Sequence, residues 1–179
     1  MTEVDQRLPP APPGVTRVAF LGGLGEIGRN CAVVEVDGAR LLIDCGLAFP
    51  DADQPGVDII LPDFAWLAEE PERVVGVVLT HAHEDHMGAL PYFLRDFDVP
   101  VYGTRLSLAM LAAKLEEHEL TPSLVEVAPG ERTTLGPFDL ELFAMSHSIP
   151  DGVAVALRTP AGTIVHTGDF KMDLTPIDG

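Results

Sequence analysis

Residues 80–86 read Thr-His-Ala-His-Glu-Asp-His and follow the apolar run Val74-Val75-Gly76-Val77-Val78-Leu79. That run is β-branched and bounded as a buried strand should be. His81, His83, Asp85 and His86 therefore gather where a central strand gives way to a loop, a place where a rigid scaffold presents chemistry. One such histidine alone would pass as a solvated loop residue. Half of the chain's six histidines in one heptad is another matter, because three imidazoles and two acids (Glu84 included) gain little from crowding unless a cation joins them. Nitrogen and oxygen donors of this kind suit zinc-type divalent metals.

Around this point the pattern reads as strands, then helices, then strands. Val15 to Leu21 predicts a first strand and Gly22 to Asn30 a glycine-rich turn. Cys31 to Val36 and Ala39 to Cys45 flank Asp37-Gly38, a strong hairpin signal. A two-residue turn there sets Glu35 opposite Arg40 and puts Ala32, Val34, Leu41 and Ile43 on one face. The same register points Cys31 and Cys45 to opposite faces. A long loop, Gly46 to Asp63, precedes a short helix over Phe64 to Glu70. Asp85 to Arg95 predicts a helix with Leu90, Phe93 and Leu94 as its stripe. Pro100 to Gly103 reads as a short strand and turn. Thr104 is positioned to cap a helix reaching His118, with Leu108, Leu111, Ala112 and Leu115 at helical spacing. Strand patterns return at 124–127, 132–135, 138–144, 153–159 and 163–166. The order implies an α+β fold in which helices pack on a mixed sheet.

Residues 1–14 are polar and then proline-rich (Pro9, Pro10, Pro12, Pro13), and a disordered leader is expected before a domain over 15–179. At 179 residues with 46% hydrophobic content, one globular domain with a real core fits. No apolar run approaches the ~20 residues of a membrane span. The two cysteines lie in apolar strands, where buried free thiols are the default, and a reducing cytoplasm is the simplest compartment. A net charge of −17 argues against a protein that coats duplex nucleic acid. It leaves open a nucleic-acid enzyme whose bound cations supply local positive charge.

Gly23-Leu24-Gly25-Glu26-Ile27-Gly28, trailed by Asp44, has the spacing of a dinucleotide fingerprint. That fingerprint needs a helix after its third glycine to receive the pyrophosphate. The hairpin pattern of 31–45 leaves no room for one, so a tight turn beside the active site is the better reading.

Two later segments put donors just past strands, His147 in Met145-Ser146-His147-Ser148 and Asp169 in Val165-His166-Thr167-Gly168-Asp169. Asp44, then His81, His83, Asp85 and His86, then His147, then Asp169 reproduce in order the pattern of the metallo-β-lactamase superfamily. Within it the chain resembles the ribonuclease J family of β-CASP ribonucleases. The likeness is carried by 22–30 (GGLGEIGRN), 42–46 (LIDCG), 83–92 (HEDHMGALPY), 147–151 (HSIPD) and 166–171 (HTGDFK), and runs from about Val15 to the end.

The resemblance implies an αββα metallo-β-lactamase fold and a dinuclear site. His81, His83 and His147 would hold one metal, Asp85 and His86 the other, and Asp169 would bridge them. Asp44 would orient the ligands, and Asp85 and Asp169 would carry the catalysis. Zinc is the expected metal and manganese the alternative. Gly56, through its carbonyl, and Asp58 match a structural calcium site of the family. RNA is the implied substrate, cut by 5′–3′ exonuclease and endonuclease modes in mRNA decay and rRNA maturation. Homo-oligomers and RNA-decay partners are implied for the full-length protein. Paired divalent cations suit phosphodiester hydrolysis, because they steady both oxygens of an in-line displacement and lower the pKa of water. The family carries a β-CASP domain, the rest of its metallo-β-lactamase fold, including a further histidine ligand, and a C-terminal domain beyond the position of Asp169. The chain is therefore expected to be an N-terminal part, inefficient as a nuclease by itself. A thioesterase- or lactamase-like hydrolase of the same superfamily would use the same ligands, and a non-catalytic metal- or partner-binding module is a third reading.

Overall fold

The computed structural model describes Pro9, residues 11–172 and residues 174–175. Most of the leader expected at 1–14 thus lies outside the described residues. Close to the domain, Gly14 donates its N–H to Asp37 Oδ1 at 3.0 Å.

Strand β1 (Thr16–Gly22), β2 (Cys31–Val36) and β3 (Ala39–Ile43) form an antiparallel meander. Helix α1 (Ala65–Ala68) and a 3-10 turn (Pro71–Arg73) lead into β4 (Val74–Val78), which pairs in parallel with β3. Short helices α2 (Glu84–Met87) and α3 (Leu90–Phe93) follow, then β5 (Val101–Gly103), α4 (Arg105–Glu117) and β6 (Leu124–Glu126). The first sheet is mixed, in the order β1-β2-β3-β4-β5-β6. Strands β7 (Arg132–Leu135), β8 (Phe138–Ala144), β9 (Val153–Thr159) and β10 (Gly162–His166) form a second, antiparallel sheet in the order β10-β9-β8-β7.

Alternation along the strands builds two cores. Ala32, Val34, Leu41, Ile43 and Val78 face Phe138, Leu140, Leu142, Val155 and Leu157 of the second sheet. The opposite face of the first sheet, with Val33, Leu42, Val77 and Leu79, packs on Leu67, Leu90, Phe93, Leu108, Leu111 and Leu115 of the helices. The described residues thus form an α layer and two β layers.

Glu35 and Arg40 pair across the hairpin as expected, yet both are fully buried. Arg17 donates to Glu35 at 2.9 Å and Arg40 to Glu70 at 2.9 Å. The Arg40 guanidinium also lies 4.4 Å from the centre of the Trp66 ring.

Three local expectations are corrected. Cys31 and Cys45 enter the same core rather than opposite faces. Strand β3 stops at Ile43, and Asp44 takes φ +62°, which reverses the two-residue alternation and swings Cys45 to the side of Cys31. Both thiols are free, and burial pushes that of Cys45 well up, with the hydrogen bond to Cys31 adding to it.

The helix expected over 85–95 is broken between α2 and α3. The Asp85 carbonyl accepts Asn30 N–H at 3.0 Å, the His86 carbonyl accepts Cys45 N–H at 2.7 Å, and Ala89 N–H turns to the Cys45 carbonyl at 3.0 Å. With those acceptors committed and no N–H on Pro91, the i→i−4 ladder cannot run through.

Thr104 sits at the N-cap of α4 but does not cap it, because its Oγ1 bonds Ser107 Oγ and the Asp151 carbonyl. Leu106 N–H is taken by Asp151 Oδ2 at 3.1 Å instead. Of the expected stripe on this helix, Ala112 is exposed while the three leucines are buried.

Candidate metal centre

Parallel strands β3 and β4 end side by side, which brings Asp44 to Thr80. Thr80 N–H donates to Asp44 Oδ1 at 2.7 Å, and Thr80 Oγ1–H to Oδ2 at 2.8 Å. His86 Nδ1–H donates to the same Oδ2 at 2.7 Å. The carboxylate is wholly buried and filled by three donors. Burial pushes its pKa up, but the His86 charge and these hydrogen bonds outweigh that and hold it below the usual carboxylate range.

This arrangement fixes two imidazole tautomers. The Thr80 hydroxyl gives its hydrogen to Asp44, so at 3.0 Å from His81 Nδ1 it acts as acceptor and His81 carries its proton on Nδ1. His86 also carries Nδ1–H, because Asp44 can only accept. In their neutral forms both rings thereby turn the Nε2 lone pair toward the centre, as ligation by imidazole requires.

The remaining donors arrive from two loops after strands of the second sheet. His147 follows β8 and Asp169 follows β10. Val153 N–H, at the close of the first loop, bonds the Thr80 carbonyl just past β4 at 3.0 Å, and Lys171 N–H bonds the Ser146 carbonyl at 2.9 Å, tying the two loops to each other. Among the described residues, two donor groups result, His81 with His83 and His147, and His81 with His86 and Asp169. Within each, the ligand atoms lie within 4.8 Å of one another.

Asp169 stands between them, with Oδ1 3.5 Å from His86 Nε2 and Oδ2 3.6 Å from His147 Nε2. Asp85 Oδ2 is 3.7 Å from His86 Nε2. These separations exceed hydrogen-bond length. They match the edge of a tetrahedron with metal–ligand bonds of about 2.1 Å, which is about 3.4 Å. The donor set fits divalent metal.

Electrostatics accord with this. Burial drives the pKa of His81 down to about 4, helped by the neighbouring His86 charge. Burial, then the charge of His147, lowers His83. His86 is the exception. Burial lowers it, but Asp44, Asp85 and Asp169 push it up to about 8.

Two participants were not singled out from the sequence. Thr80, which merely opens the heptad in the sequence, sets the His81 tautomer. Asn30, read as the end of a glycine-rich turn and of a block that carries the family likeness but given no role, reaches Asp85 and His86. Gly46 makes their approach feasible, since a Cβ there would lie 1.6 Å from the Asp85 carbonyl oxygen. Gly56 and Asp58, of the expected calcium loop, are exposed, and Asp58 belongs to neither donor group.

This layered frame and its centre define a class. The chain belongs to the metallo-beta-lactamase superfamily, whose profile matches residues 24–174. Within that class it is similar to proteins named ribonuclease J. It is 48% identical over 172 residues to that of Mycolicibacterium smegmatis, covering 96% of the chain and 31% of the relative. To that of Thermus thermophilus it is 49% identical over 168 residues, covering 89% of the chain and 29% of the relative. The chain thus spans under a third of the length of either. Among solved structures, an Rm3 metallo-beta-lactamase aligns with a TM-score of 0.61 at 19% identity, over 84% of this chain and 58% of that one. The metallo-beta-lactamase fold protein YhfI of Bacillus subtilis aligns at 0.60 and 20%, over 86% and 62%. These two likenesses concern the fold. No helix among the described residues is long and apolar enough to cross a membrane.

Proposed function

We propose that this chain carries the metal centre of a ribonuclease of the ribonuclease J type, which hydrolyses RNA phosphodiesters. The observation that carries the proposal is the Asp169 carboxylate, which turns one oxygen toward His86 and the other toward His147. A carboxylate so placed suits a bridge between two cations. In this reading His81, His83 and His147 hold one cation, and His86 and Asp85 belong to the other. Zinc is the proposed metal and manganese the alternative, since donors of this kind accept both. When bound, the metals supply Lewis acidity and offset phosphate charge.

The chain's own residues do the rest. Asp44 and Thr80 hold His81 and His86 with Nε2 toward the centre. Asp85, at the rim, is placed to orient water or take its proton. Asp169 keeps the two halves in register. With 28 acidic against 11 basic side chains, attraction of an RNA polyanion rests on the bound cations. RNA as substrate is supported by the relatives' name. The 5′–3′ exonuclease and endonuclease modes, roles in mRNA decay and rRNA maturation, homo-oligomers, a cytoplasmic setting and a calcium held by Gly56 and Asp58 extend the same reading.

The test is cleavage of a 5′-monophosphorylated RNA by the product of the whole reading frame and by this chain, with and without chelator, beside His83→Ala. Chelator-sensitive cleavage by the whole product, lost in His83→Ala, supports the proposal. Metal uptake without RNA cleavage by any form sinks it, and leaves a small-molecule hydrolase or a binding module.

A further inference from the structure

The glycine-rich stretch Gly22 to Asn30 matches no dinucleotide site, and the metal donors alone do not account for it. Its geometry delivers one side chain. Added Cβ atoms at Gly22 and Gly23 would lie 2.3 Å from the Arg29 carbonyl oxygen and 2.7 Å from Asn30 Oδ1, so the turn closes tightly upon Asn30. Glu26 staples it, accepting from Gly23 N–H at 3.2 Å and from Arg29 at 2.6 Å. Three backbone hydrogen bonds then fasten its end to the centre. These are Arg29 N–H to the Leu47 carbonyl at 3.0 Å, Asn30 N–H to the Asp85 carbonyl at 3.0 Å, and Gly46 N–H to the Asn30 carbonyl at 2.9 Å.

The Asn30 side chain uses this anchorage. Its Nδ2 donates to the Asp85 carbonyl at 3.0 Å and approaches Asp85 Oδ2 at 3.3 Å and His86 Nε2 at 3.0 Å. The amide cannot be turned over, because Oδ1 would then face two Asp85 oxygens, acceptor against acceptor. One N–H therefore serves the carbonyl, and the second points to the Asp85 carboxylate and to His86 Nε2, whose lone pair it meets when that ring is neutral. We propose that Asn30 is a positioning residue for the metal centre, aligning the Asp85 carboxylate with His86 Nε2, and that the glycine-rich turn serves to place it. The inference rests on the metal-centre reading above. Once His86 Nε2 gives its lone pair to a cation, the second N–H has only the Asp85 carboxylate to hold. Asn30 thus trades one partner for the other on loading. Partners that orient ligands in this way typically contribute about 10–100-fold to metal affinity.

The test compares the wild-type chain with Asn30→Ala and Asn30→Asp. Asn30→Asp keeps the shape beside Gly23 but turns donors into acceptors. Zinc and manganese isotherms on metal-free protein give the affinities, circular dichroism reports folding, and long-range proton–nitrogen NMR reports the His86 Nε2 shift. We expect folded variants in which one class of site weakens about 10–100-fold while the other changes by less than about threefold. At a pH where His86 is neutral, its metal-free Nε2 resonance should move toward the value of an unbonded lone pair. Folded variants with wild-type isotherms would overturn the assignment. So would loss of folding in both, which would make Asn30 a structural residue. No metal uptake by the wild type would instead overturn the reading on which it rests.

Discussion

Asp44→Asn isolates the group on which the centre's proton placement depends. The substitution is nearly isosteric, and asparagine tolerates the φ of +62° found there better than most residues. Its carbonyl can keep the Thr80 N–H, which donates to Oδ1 at 2.7 Å. The amide NH₂ then occupies the place of Oδ2, which accepts from Thr80 Oγ1 at 2.8 Å and His86 Nδ1 at 2.7 Å. Both partners must become acceptors. His86 has to move its proton to Nε2, and the Thr80 hydroxyl has to turn its hydrogen toward His81 Nδ1, which shifts the His81 proton to Nε2 as well. Both lone pairs that the proposed metal centre would use are lost by one change of charge. Three charge-assisted hydrogen bonds become neutral at a cost of about 1 kcal/mol each. Relief of the carboxylate's burial returns part, so the net loss is about 2 kcal/mol, or roughly 4–8 °C in Tm for a domain of this size. Metal affinity should fall at least about 10–100-fold. The assay pairs nitrogen NMR of the metal-free chain, which reads each tautomer, with a zinc isotherm. Unchanged tautomers with affinity within threefold of wild type would refute the reasoning.

Other outcomes follow from the same geometry. Metal must displace the proton of His86, whose pKa stands at about 8, so zinc affinity measured from pH 6 to 9 should rise by up to about tenfold per unit and level off above 8; a flat profile would show that His86 is not a ligand. In the metal-free chain the sign is opposite. A pKa raised from 6.5 to about 8 stabilises the fold fully below pH 6.5 and less as pH rises through 8, by about 2 kcal/mol, which urea denaturation across that window checks. Gly46→Ala drives a Cβ to 1.6 Å from the Asp85 carbonyl oxygen and forces apart the bonds from Asn30 N–H to Asp85, Cys45 N–H to His86 and Gly46 N–H to Asn30. At about 1 kcal/mol each this costs about 3 kcal/mol by denaturation, and a loss under 1 kcal/mol would mean that the loop yields freely.

The heptad was legible because its donors are adjacent in sequence and follow an apolar strand. The hairpin was legible because Asp37-Gly38 fixes its register. His147 and Asp169, far off in sequence, showed only as donors just past strands, and resemblance joined them to the heptad, since a lone histidine or aspartate past a strand carries little signal. What escaped depends on partners that tertiary structure supplies. Nothing in Leu42-Ile43-Asp44-Cys45 announces the left-handed turn at Asp44 that brings the two cysteines into one core. The break between α2 and α3 arises because Asn30 and Cys45 claim the Asp85 and His86 carbonyls. Residues 84–94 do not encode those claims. Asn30 looked like the end of a turn because its partners lie 55 and 56 positions away.

The central claim is a pair of cations joined by Asp169, and zinc-edge anomalous diffraction from crystals of the zinc-loaded chain tests it most directly. Two peaks about 3.5–4 Å apart are expected, one beside His81, His83 and His147 and one beside His86, with the Asp169 carboxylate between them. A single peak, or two that leave Asp169 unbound, would contradict it.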